Sequence, residues 1–462
     1  MVSNVSAHSF LCGYFKLSAG YDLDEICAKT YSIGDRQDVK WEKQVLNETY
    51  NEHWCMELDK FPEVRKDYRY WCQSYYESYV ESLLDAGDDM ALRKDLYRHT
   101  SHLVMTLDCK CEFEEISFPF VVKRLHLFVF TKNIAIFAIE LDEPNVSPDA
   151  MITGHKIMRD VESYDEIPSD GAYLKSIAPL LDLCGKDGKA GQHADLMESG
   201  AKLKLFQIVS TTDISDERIF EYGTLIKTGA VNDKNDYNCP SKQYYDSIIS
   251  TNMLSVYNNW KALALLDTFT VLGVDFTGSF FVWVSYFRMI YIHSLYQKLL
   301  LVNLDKDFRF PKDSSKPISL EDEMKELEMY YAFPTISYNF LPQLIYEKIN
   351  VGLGLQAERD QLHKYIEQES RRQERVSEKK LNRLITTLTV FTMGSVLFDV
   401  TSLVSSMLGL DVPSCGFNIV AWVAIAFVIA VLLLVLVPWK MAGEWIWKTM
   451  CRLFNRCQIW KR

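Results

Sequence analysis

The chain has 462 residues and a formal net charge of −12 at neutral pH. That length accommodates two or three domains, and the acidic balance excludes a general nucleic-acid binder, which presents a basic face, so no direct DNA or RNA partner is expected. Apolar residues make up 48% and aromatics 13%, enough for a substantial core, while a mean hydropathy of −0.09 excludes a chain that is membrane throughout.

The 11 cysteines are scattered and odd in number, without the spacing of a disulfide framework, which fits a reducing, cytosolic compartment. Residues 1–20 lack the basic-then-apolar pattern of a signal peptide. The first informative segment is 68–84, which reads as a helix. It carries Tyr68, Tyr70, Trp71, Tyr75, Tyr76 and Tyr79, with Arg65 and Arg69 beside them. Stacking plus guanidinium charge could hold a base and a phosphate, so Arg65, Arg69 and Trp71 are candidate ligand contacts. The alternative is core or interface packing. His99, His102, Cys109 and Cys111 look at first like four metal ligands, but their spacing matches no standard zinc site and the stretch alternates like a strand.

Residues 103–107, 121–130, 134–141 and 203–209 read as strands, with Thr131-Lys132-Asn133 as a hairpin turn. Between them 144–200 is loop-rich. Its GKDGKAGQ run (185–192) lacks the spacing and the Lys-Ser/Thr ending of a P-loop. Lys186 and Lys189 are therefore either part of a flexible loop or contacts to a ligand phosphate. Residues 242–266 read as a helix. Residues 280–302 are apolar but interrupted by Arg288, His293 and Lys298, which predicts a helix with one buried face and not a membrane span. No nucleophile–base pair or carboxylate dyad stands out, so no enzymatic activity and no catalytic residue are expected.

Residues 319–328 (SLEDEMKELE) predict an acidic helix, followed by a turn at Phe333-Pro334 and a new helix from Leu341-Pro342. From Gln343 to residue 384 there is no proline. Gly352 and Gly354 are soft points, and 357–383 is polar with interleaved charges that support a long helix. Continued into the next segment, it would span about 65 residues, roughly 100 Å.

Residues 384–408 carry one charge, Asp399, and 417–437 carry none; each could cross about 30 Å of hydrocarbon as a helix. Basic residues flank the pair on both outer sides (Arg371, Arg372, Arg375, Lys379, Lys380 and Arg383 before; Lys440, Lys448, Arg452, Arg456, Lys461 and Arg462 after), and the linking residues 409–416 contain none. By that asymmetry both termini are expected in the cytoplasm and the linker outside the plasma (inner) membrane, with Trp439, Trp445 and Trp447 at the interface. Thr389, Thr392, Ser395, Asp399, Ser402 and Ser406 recur at three- and four-residue steps and share one helical stripe. Such a stripe faces a pore, or its hydroxyls bond back to their own helix and hold helices together.

The expected organisation is an α/β or α+β domain over 1–240, a helical region over 241–383, two transmembrane helices over 384–437 and a basic tail over 438–462. This arrangement resembles the CorA-type divalent-cation channel superfamily. The residues that carry the likeness are FPTISYNFLPQLIYEKINVGLG (333–354), the charged run to Arg383 and the two apolar segments, roughly the C-terminal third. The resemblance implies a homo-oligomer, a pentamer, around a central pore in a lipid bilayer, with Mg2+ or another divalent cation passing through it. The family's Gly-Met-Asn signature is missing: Met407-Leu408-Gly409-Leu410-Asp411 stands there, so magnesium selectivity does not carry over. The chain also looks like the divergent CorA-like membrane effectors of type III CRISPR antiviral systems, thought to respond to a nucleotide second messenger. The leading expectation is a cation pore gated by such a ligand at the cytoplasmic domain. A magnesium transporter regulated by its own ion and a membrane-anchored scaffold without a pore are the alternatives.

Overall fold

The computed structural model describes residues 4–16, 23–33, 36–43, 101–113, 116–130, 134–159, 202–274, 276, 280–309 and 320–407. The chain divides into two compact units, Met1–Leu362 and His363–Arg462. The first is built on a nine-stranded sheet in the order β4-β5-β6-β7-β1-β8-β11-β10-β9. Its strands are β1 (Val5–Lys16), β4 (Glu42–Lys43), β5 (Ser101–Phe113), β6 (Ile116–Val129), β7 (Ile134–Val146), β8 (Lys204–Ser210), β9 (Met253–Leu254), β10 (Trp260–Ala264) and β11 (Thr268–Gly273). β2 (Thr30–Ile33) and β3 (Arg36–Lys40) form a separate pair, and α1 (Leu23–Ala28) precedes them. β8 and β11 pair in parallel; every other pairing is antiparallel.

The sheet is covered on both faces, which is why its central strands are buried along almost their whole length. Alternation along β1 sends Ala7 and Leu11 to one face, where they join Leu127, Ile139, Leu205 and Val209 in a core closed by α2 (Pro148–Arg159) and α3 (Asp216–Thr224). His8, Phe10 and Cys12 point to the other face. There Phe10 meets Phe206, and Arg288, the first residue of α5 (Arg288–Arg309), lies over the Phe10 ring. α5 follows a π-helical turn, Trp283–Phe287, and all residues from Arg288 to Gln297 are buried. The expectation of a helix over 280–302 holds in kind. Burial of a whole face-to-face stretch, and not of one face, corrects its detail. The expected helix over 242–266 is also corrected: α4 (Lys242–Asn252) stops there, and the chain turns into β9 and β10.

α6 (Leu320–Tyr330) is the acidic helix and α7 (Phe340–Leu353) the one after it. The single rod expected from Gln343 onward is broken. Gly354 takes a left-handed φ of 68° and its N–H caps α7, so that α8 (Leu355–Met407, 53 residues) starts anew.

The expected two-span membrane architecture is overturned. Among the described residues, no helix is long and apolar enough to cross a membrane. The proposed first span forms the end of α8, where Thr, Ser and Asp interrupt the apolar residues and which continues the charged run before it. Thr389 Oγ1 donates to the Ile385 carbonyl at 2.8 Å, and Thr392 Oγ1 to Leu388 and Thr389 at 3.1 and 2.9 Å. These hydroxyls bond to their own helix. Ser395, Asp399, Ser402 and Ser406 are exposed. The ion-channel reading and the multi-pass inner-membrane location depended on the spans and fall with them. The proposed second span and basic tail lie outside the described residues.

Candidate functional site

α2 follows β7 directly. The Ala150 N–H donates to Ser147 Oγ and the Met151 N–H to the Ser147 carbonyl, fixing its start. Met151, Ile152, His155 and Met158 turn inward. The helix carries Asp149 in its first turn and Lys156 and Arg159 in its last, the arrangement its dipole favours. A cleft of about 590 Å³ opens beside it, walled by α2, Lys202 just before β8, the loop after α3 and the β10–β11 turn. That is the size of a small-molecule site.

Four basic side chains line the cleft, Lys156, Arg159, Lys202 and Lys227, against two acids, Asp149 and Asp267. Both acids have internal duties. Asp149 Oδ1 accepts from Thr228 N–H and Thr228 Oγ1, each at 2.8 Å, pinning the loop after α3. Asp267 pairs with Lys204 and lies 3.4 Å from Arg159 Nη2. Partial burial opposes its ionisation, yet Lys204 and Arg159 hold its carboxyl below the usual range. Lys156 and Lys227 are exposed, and among the described residues neither has an ion-pair partner. Among the described residues the cleft therefore carries four basic side chains against two acidic ones, in an otherwise acidic chain.

Arg159 is only 6% exposed. Its Nε donates to the Leu203 carbonyl at 2.7 Å, and the Leu203 N–H returns a bond to the Arg159 carbonyl. Nη2 makes no hydrogen bond to any described residue. Its only charged neighbour among the described residues is the Asp267 carboxylate, at 3.4 Å and outside hydrogen-bonding geometry. The rest of the wall is mixed. Ile152, Leu225 and Ile226 supply apolar surface, and Thr153, Thr224 and Asn238 supply polar groups. Leu225 holds a left-handed φ of 56° as it caps α3.

None of the residues expected to bind a ligand is brought here by the described structure: Arg65, Arg69, Trp71, Lys186 and Lys189 all lie outside the described residues. Lys186 and Lys189 belong to 160–201, the segment whose two flanking residues, Arg159 and Lys202, both line the cleft. The sequence offered a weak signal for the cleft itself. Lys156 and Arg159 are one turn apart at the end of an amphipathic helix, but Lys202 and Lys227 come from remote segments.

A second cluster occupies the opposite face of the sheet. His8 Nε2 lies 2.9 Å from Glu140 Oε1, His126 Nε2 lies 2.8 Å from Glu140 Oε2, and His102 Nε2 lies 3.1 Å from His126 Nδ1. Burial resists a charge on His8, but Asp142 and Glu140 outweigh it and raise His8 to about 9. Burial also opposes ionisation of Glu140, whose histidine partners nonetheless hold it well below the usual range. Burial and Arg288 push His126 down to about 4, and burial holds His102 well below its ordinary value. Among the described residues these groups pair with one another on the face of the sheet that α5 covers. His102 thus lies in β5 and pairs with His126; His99 lies outside the described residues. Among the described residues no group of three or more His, Cys, Asp or Glu is arranged to hold a metal ion. No family model matches the chain, and no curated protein or solved structure matches it either.

Proposed function

We propose that this protein is a receptor for a phosphorylated small molecule of the nucleotide class, bound in the basic cleft beside α2. The observation that carries the reading is Arg159, a buried guanidinium whose Nη2 lacks a hydrogen bond among the described residues at the wall of a solvent-open cleft. A phosphate would satisfy it in the bidentate geometry that guanidinium and phosphate share. Lys156, Lys202 and Lys227 would neutralise the remaining charge, and Ile152, Leu225 and Ile226 would take the apolar faces of a sugar or base.

Calorimetry with the full-length chain and ATP tests the reading. Wild type is expected to bind, with affinity falling as salt rises because the contacts are ionic. Arg159→Gln should weaken binding about tenfold or more, since hydrogen bonds to charged groups contribute about 1.5–3 kcal/mol. The double variant Lys156→Gln/Lys227→Gln changes two exposed side chains. It should also weaken binding while leaving the melting temperature in place. ATP affinity equal to wild type in the double variant would remove the cleft as the binding site.

A further inference from the structure

We infer that Asp267 acts as an internal anion in the cleft, so that the site accepts a terminal phosphomonoester and excludes a phosphodiester; this rests on the anion-site reading above. Asp267 sits in the turn between β10 and β11, its side chain 45% exposed, with Lys204 on one carboxylate oxygen and Arg159 Nη2 at 3.4 Å from the other. The Asp267 carbonyl is fixed separately, by the Leu205 N–H at 2.9 Å, so the side chain can swing without releasing the backbone. A ligand phosphate that reaches Arg159 must take the place of this carboxylate.

That exchange depends on charge. A phosphodiester brings one negative charge per phosphate and replaces a carboxylate that also brings one. It gains no Coulomb energy to first order. It also competes with a group tethered in place, whose effective concentration is about millimolar or higher. A phosphomonoester carries about −1.5 to −2 at neutral pH and offers three acceptor oxygens, so it attracts the same cations more strongly and can serve Arg159 and Lys204 together. Asp149 does not play the same part, because its oxygen is held by Thr228.

The test compares adenosine 5′-monophosphate with 3′,5′-cyclic AMP, which share base and sugar and differ in monoester against diester, by calorimetry on the full-length chain. Wild type should bind the monoester and show the cyclic diester at least about tenfold weaker, a gap of about 1.4 kcal/mol. Asp267→Asn should tighten binding of both ligands by about tenfold, bringing the cyclic diester into range. Asp267→Ser should do the same, which guards against a turn disturbed by one replacement. Equal affinities in wild type, or no gain in either variant, would overturn the inference. Binding of inorganic pyrophosphate, with neither nucleotide bound by any form, would also overturn it while leaving the anion site intact. Failure of pyrophosphate as well would remove the anion site itself.

Discussion

At the scale of single residues, the described part of the first unit separates charges that are spent from charges that are available. Glu140, His8, His126 and His102 are spent: each ring or carboxylate meets another within the buried face below α5. Their linkage to pH has a definite sign. His8, raised from 6.5 to about 9, contributes stability that is full below 6.5 and is lost as pH climbs through 9. Glu140, held below its ordinary 4.5, contributes stability above that value and loses it in acid. His126, lowered to about 4, binds its proton in the unfolded chain before the folded one, which steepens the acid limb below 6.5. Urea midpoints should therefore peak near neutral pH and fall on both sides. His8→Gln should lower the midpoint at pH 7, since breaking a buried pair costs about 3 kcal/mol, and should flatten the alkaline limb. An alkaline limb as steep in His8→Gln as in wild type would show that another group titrates there. Lys156 and Lys227, by contrast, are exposed at the cleft, and Arg159 faces it through an ion pair with Asp267; the proposed ligand chemistry depends on that difference.

At the scale of elements, the cleft is assembled by closures that bring distant segments together. Arg159, the last residue of α2, and Leu203, just before β8, are held side by side by two reciprocal bonds. Asp267 ties the β10–β11 turn to β8, and the other end of that turn, Ala264, packs on α7. A Cβ on Gly352 would come within 2.7 Å of the Ala264 carbonyl carbon and oxygen. Gly352→Ala must push α7 off β10, and a loss of about 1–3 kcal/mol is expected. Gly354 is the control. Its φ is 68° and nothing lies within 4 Å of a Cβ there, so Gly354→Ala carries only the left-handed backbone penalty of about 1–2 kcal/mol and no clash. Urea unfolding at one pH compares them. If the two variants are equally mild, the close α7–β10 approach is not a constraint on the fold.

At the scale of the whole molecule, the sequence was legible where one local pattern decides. The β-rich runs at 121–130 and 134–141 fall in β6, up to Val129, and in β7, which pair antiparallel as the expected hairpin requires, and the acidic 319–328 run falls largely in α6. It was misleading where apolar content alone was weighed. The 384–408 segment is counted as a span only if its Thr, Ser and Asp positions are discounted, and no described helix is long and apolar enough to cross a membrane. It was also misleading at Gly354, where one left-handed residue ends a helix that has no proline to stop it. The cleft was illegible for a different reason: Lys156, Lys202, Lys227 and Asp267 become neighbours only through sheet order and loop closure. The central claim, that this cleft is the anion site, is tested most directly by amide hydrogen exchange on the full-length chain with and without pyrophosphate. Slower exchange is predicted in 149–159, 202–205, 224–228 and 265–268, with no change in 288–309. No protection in those four segments at a concentration where pyrophosphate is bound, or protection confined to 288–309, would contradict it.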